Sequence, residues 1–161
     1  HDGRQLYIRV TDHVDINRLK DSGGAWWGDR WEVFFSRQSN RQAGQRLADR
    51  DKGEWGPYRQ IGIRPNQNRC DMWTHVKEDW ETWPKVDLKL HNDKGADGWT
   101  YYLTIPLDNL SSAGPVKPGE KVYFNFIGPN EASGDCITLS PTFDPGAYHN
   151  VPRLAGFLLD E

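Results

Sequence analysis

Apolar and polar residues alternate with a period of two in one short segment after another, and no segment of helical length carries a 3.6-residue period. Leu6, Ile8 and Val10 alternate with Tyr7, Arg9 and Thr11, and Trp31, Val33 and Phe35 alternate with Glu32, Phe34 and Ser36. Trp99, Tyr101, Leu103 and Ile105, then Val122, Phe124 and Phe126, follow the same rule. A period of two is the pleat of a β-strand. Tyr58–Arg64, Val86–Leu90, Ile137–Ser140 and Leu154–Leu159 extend the series, with Gly and Pro punctuating the intervals. About eight short strands of this kind predict an all-β fold, an antiparallel β-sandwich of the jelly-roll or immunoglobulin-like sort.

Only 36% of the 161 residues are hydrophobic, yet eight are Trp, so the interior has to be built from a few large rings on short strands. The length fits one domain, 1–161. A net charge of -3, with Lys and Arg dispersed, offers no basic stripe for a phosphate backbone, so nucleic acid is set aside as a partner. No apolar run approaches the roughly 18 residues that cross a bilayer, so no membrane partner is expected. The chain opens at His1, in the turn before a strand and without an initiator Met, and reads as a piece of a longer precursor. Cys70 and Cys136 are too few for a disulfide framework or a zinc site; a single bridge and two buried thiols both remain open.

The chemistry of catalysis is poorly represented. There is no Gly-x-Ser-x-Gly elbow, no His-Glu-x-x-His helix and no phosphate loop. The pairs Glu78 with Glu81 and Asp49 with Asp51 suit glycosidase work only if folding sets them about 5 to 9.5 Å apart, and acids at this density are ordinarily solvated. The expectation is a protein that is not an enzyme.

Binding chemistry is better supplied. Trp26 and Trp27 lie in a loop after Ser22-Gly23-Gly24, and Gly28 and Asp29 turn the chain into the strand from Trp31. Two adjacent indoles cannot bury in the same direction from an extended chain, so one is a candidate for exposure. Glu32, between Trp31 and Val33, either meets solvent or sits in a polar site where a partner meets its charge. Gln60 and Arg64 share the polar side of their strand. Residues 37–56 predict a long surface loop. Between 69 and 83, a strand followed by an amphipathic loop is expected to lay Trp73, Trp80 and Trp83 onto the sandwich. Pyranose rings stack their C–H faces on aromatic rings and need polar groups beside them for their hydroxyls, which Trp26 with Glu32 nearby would satisfy, Tyr148 forming an opposite wall.

The order of Leu6 to Asp12, the Trp-Trp-Gly-Asp-Arg-Trp-Glu-Val-Phe-Phe run from Trp26 to Phe35, Gly98 to Leu107, Val122 to Phe126, and Tyr148-His149-Asn150 followed by Leu154 to Leu159 resembles carbohydrate-binding module family 9, a branch of the DOMON-like β-sandwiches. The resemblance implies that Trp26 and Tyr148 sandwich a terminal sugar, that Glu32 accepts from its hydroxyls, and that Gln60 and Arg64 add polar contacts. It implies structural calcium as the cofactor, with Asp12, Asp15 and Asp29 as oxygen donors, and no other cofactor. It also implies an extracellular location, an oligosaccharide or polysaccharide ligand, a neighbouring catalytic domain in a longer chain, and N-terminal strands of the full domain that 1–161 lacks. Two alternatives compete: a structural or interaction domain of a multidomain enzyme, and a haem-binding electron-transfer domain using Met72 and His75, which alternation would set on opposite faces.

Overall fold

In the computed structural model, residues 1–20, 29–37, 58–65, 70–76, 79–82, 89–96, 98–111, 114–130, 135–139 and 155–160 are described, with backbone alone at 70–76, 79–82, 129–130 and 135–137. Among the described residues, ten strands run β1 (Gln5–Asp12), β2 (Trp31–Ser36), β3 (Tyr58–Ile63), β4 (Cys70–Val76), β5 (Asp79–Thr82), β6 (Lys89–Gly95), β7 (Gly98–Pro106), β8 (Lys121–Asn130), β9 (Asp135–Thr138) and β10 (Ala155–Leu158). They form two antiparallel sheets: a three-stranded one in the order β1-β7-β6, and a seven-stranded one in the order β10-β8-β2-β3-β4-β5 with β9 also on β8. This is the all-β sandwich that the alternation predicts. Two 3-10 turns, Ile16–Arg18 and Leu107–Asn109, are the helical elements among the described residues, and no described helix is long and apolar enough to cross a membrane.

The core lies between the sheets. Trp31, Val33 and Phe35 from β2 and Ile61 and Ile63 from β3 meet Trp99, Tyr101, Leu103 and Ile105 from β7, all almost wholly buried. Trp31 is the hub: its ring centroid is 5.4 Å from that of Phe126 and 6.4 Å from that of Tyr101. Gly128 gives that ring room, since a Cβ there would stand 2.7 Å from it. Gly98, at φ +125°, lets the β6–β7 hairpin pass close to Asp12, whose carbonyl oxygen would be 2.1 Å from an added Cβ.

Several boundaries differ from the sequence expectation. The stretch expected as an amphipathic loop after β4 holds a second strand, β5, paired from Trp73↔Thr82 to Val76↔Asp79. The strand expected at Val86–Leu90 is described from Lys89 and runs on through Asn92 and Asp93 to Gly95; pairing with β7 overrides weak local propensity. Strand β8 continues past Phe126 to Asn130 because β9 pairs with its far end. The long loop at 37–56 falls almost entirely outside the described residues.

The backbone also settles the cysteines. Cys136 pairs with Pro129 on the side of β8 away from β2, whereas Cys70 pairs with Ile63 on β3. Strands β8, β2 and β3 intervene, which at about 4.8 Å per strand separates the two cysteines by roughly 19 Å, far beyond disulfide reach.

Candidate polar site on the seven-stranded sheet

All six residues of β2 and all six of β3 are buried, so the central strands are covered on both faces. Register defines what shares the face turned away from the core. Glu32 is opposite Gly62 and Ile127, and Phe34 is opposite Gln60 and Asn125. Tyr58, Gln60 and Gly62 therefore stand beside Glu32, Phe34 and Ser36, with Tyr123, Asn125 and Ile127 on the other side. Phe34, Tyr58 and Ile127 make a small apolar cluster there, with Tyr123 packed against it.

Glu32 is the charged centre of this face and is 3% exposed. A buried carboxylate needs its charge met. Arg30 Nε donates to its Oε1 at 2.5 Å, and Gln60 Nε2 donates to its Oε2 at 2.7 Å. Of the two outcomes open to Glu32 from sequence, the structure shows the polar site. Burial, then the charge of Glu32, pushes the Tyr58 phenol well above its ordinary range. Asn125, fully buried, accepts from the Thr138 hydroxyl at 3.1 Å.

The sequence-predicted residues are brought together in part. Glu32 and Gln60 touch. Arg64 lies just beyond β3 on the parity of Gln60 and is 6% exposed, and its carbonyl accepts from Asn92 Nδ2 at 3.1 Å, tying the end of β3 to the smaller sheet. Trp26 and Tyr148 lie outside the described residues. The ends of the segment that carries Trp26 are joined: the Lys20 N–H donates to Asp29 Oδ2 at 2.6 Å, and the Asp29 N–H donates to the Lys20 carbonyl at 2.8 Å. Arg30 was not singled out from sequence. The available signal was a pair of opposite charges two residues apart, which a strand sets on one face.

Of the three aspartates considered for calcium, Asp15 and Asp29 make local hydrogen bonds, and Asp12 lies within reach of the charge of Asp29. Asp15 accepts from the Asn17 N–H at 3.0 Å and from Asn17 Nδ2 at 3.1 Å, capping a 3-10 turn. Asp29 is buried and holds Lys20. Desolvation first, then the charge of Asp29, raises the Asp12 carboxyl above its ordinary range. Among the described residues no three His, Cys, Asp or Glu side chains gather as a metal site. On β4, Met72 is in register with Ile61 and His75 with Tyr58, positions of opposite parity, as strand alternation requires.

No family model and no curated protein matches the chain. Among solved structures, it is similar over 100% of its length to 75% of the chain of a "putative carbohydrate-binding protein" from Bacteroides uniformis, with a TM-score of 0.65 and 17% sequence identity. At that identity the likeness is one of fold.

Proposed function

We propose that this chain is a non-catalytic carbohydrate-binding module, accessory to a secreted polysaccharide-degrading enzyme, of the kind represented by carbohydrate-binding module family 9. The observation that carries the reading is the Arg30–Glu32–Gln60 network. It keeps a carboxylate and an amide on the buried face of a sheet, beside aromatic side chains. Such groups are the acceptors and donors that pyranose hydroxyls need once they leave water. A carboxylate has about four lone-pair sites, so Glu32 retains acceptor capacity with Arg30 and Gln60 in place. In this reading Glu32 is the floor, Arg30 and Arg64 supply donors around it, and Trp26 and Tyr148 are the two stacking walls. The similarity in fold to a "putative carbohydrate-binding protein" supports the ligand class.

Tryptophan fluorescence titrated with a panel of neutral and acidic oligosaccharides tests it. A saturable change is expected with at least one sugar, lost in Trp26→Ala and weakened in Tyr148→Ala without a fall in melting temperature. A flat response across the panel, or one that Trp26→Ala leaves intact, contradicts the proposal.

A further inference from the structure

A glycine inside a strand has no side chain to pack and loses more backbone freedom on folding than any other residue, so its position calls for a reason. Gly62 is such a residue. The β3 ladder passes it without a bulge: Ile61, Gly62 and Ile63 pair in unbroken register with Val33, Glu32 and Trp31 on β2, and with Met72, Asp71 and Cys70 on β4. The main chain does not demand glycine either, since the described glycines at positive φ are Gly3, Gly98, Gly114 and Gly119. What remains is space on the face to which a Cβ at this position would point. That face is the polar one, shared with Gln60 and Glu32.

Register shows what needs the space. Glu32 is directly opposite Gly62, whereas Gln60 is opposite Phe34, so Glu32 and Gln60 are diagonal neighbours with Cα atoms about 7–8 Å apart. Their side chains nevertheless meet. Gln60 Nε2 donates to Glu32 Oε2 at 2.7 Å while Arg30 Nε donates to Oε1 at 2.5 Å, and Gly62, Glu32 and Gln60 are all buried. We infer that Gly62 is a positioning residue: the Glu32 carboxylate leans from β2 over the place a side chain at 62 would fill, and glycine there lets it hold Arg30 and Gln60 together. A methyl group would push the carboxylate back toward β2 and open its contact with Gln60. The role of Gly62 in sugar binding rests on the reading above; its placement of Glu32 does not.

A double-mutant cycle with NMR and sugar titration tests the inference. Gly62→Ala is expected to lower the melting temperature by about 3 °C or more, although alanine is the better strand residue; in a Glu32→Ala background the same substitution leaves it unchanged or raises it. In sugar-free Gly62→Ala the Gln60 side-chain amide and Arg30 Nε–H resonances move. Gly128→Ala, whose methyl meets Trp31 on the core side, leaves both in place. Affinity for an oligosaccharide that the parent binds falls at least about tenfold in Gly62→Ala. A cost that persists undiminished without Glu32 assigns the space to another side chain and overturns the inference. Unmoved resonances in Gly62→Ala overturn it as well, whether or not Glu32→Ala folds. Moved resonances with sugar affinity intact overturn the binding role of Gly62, whereas a parent that binds no sugar contradicts the site reading itself.

Discussion

The outward faces of the two sheets obey opposite rules. On the three-stranded sheet, Tyr7, Arg9, Lys89, His91 and Tyr102 are exposed, and the guanidinium of Arg9 lies 5.6 Å from the Tyr102 ring centroid in a contact open to water. On the seven-stranded sheet, the corresponding layer holds Glu32, Phe34, Gln60 and Asn125, each no more than 3% exposed. Both layers are rich in polar groups, yet only the second has removed them from solvent, where every one must find a partner. The contrast teaches where to look for function: polarity that water satisfies is cheap, whereas polarity kept under cover needs a built network.

Substitutions on the outward layers of the two sheets should separate the two faces. Phe34→Ala is expected to cost about 3–5 kcal/mol in chemical denaturation and Tyr102→Ala less than about 1 kcal/mol, because only the first opens a cavity. Arg30→Met leaves the Glu32 carboxylate buried with Gln60 alone, and a loss of about 3 kcal/mol is expected; Arg9→Met should change stability by under about 1 kcal/mol. Equal effects at either pair would erase the contrast. On the core side of β8, Gly128→Ala should cost about 1–3 kcal/mol, since the new methyl meets the Trp31 ring.

A smaller effect is expected from pH. The Asp12 carboxyl is raised, by burial first and the Asp29 charge second, so its contribution to stability is present below the unfolded value and lost as pH rises through the folded value. Asp12→Asn should therefore melt slightly higher than the parent at neutral pH, with the difference closing below about pH 4. The smallest effect concerns Cys70 and Cys136: reductant should leave the melting temperature unchanged, and thiol titration of the unfolded chain should find two free groups.

The same contrast explains how much the sequence disclosed. Strands β1 and β7 are legible because one face is wet, so their alternation is uninterrupted. In β2 and β3 both faces are covered, and Glu32 and Gln60 interrupt the pattern in a way that alternation alone does not resolve between solvent and a buried network. Strand β5, with Asp79 and Glu81, and the Asn92–Asp93 part of β6 carry poor strand formers, and only pairing makes them strands. Arg30 escaped notice because it precedes the apolar run, while the link between Glu32 and Gln60 depends on register across 28 residues.

The central claim is that the Arg30–Glu32–Gln60 network is the floor of a sugar site, and NMR of the Gln60 side-chain amide and the Arg30 Nε–H during titration tests it most directly. Using the oligosaccharide that gives the strongest fluorescence response, both resonances should shift saturably with the same dissociation constant as the indole signal. Saturation of the fluorescence with both resonances unmoved would place the sugar elsewhere and leave the network a structural brace.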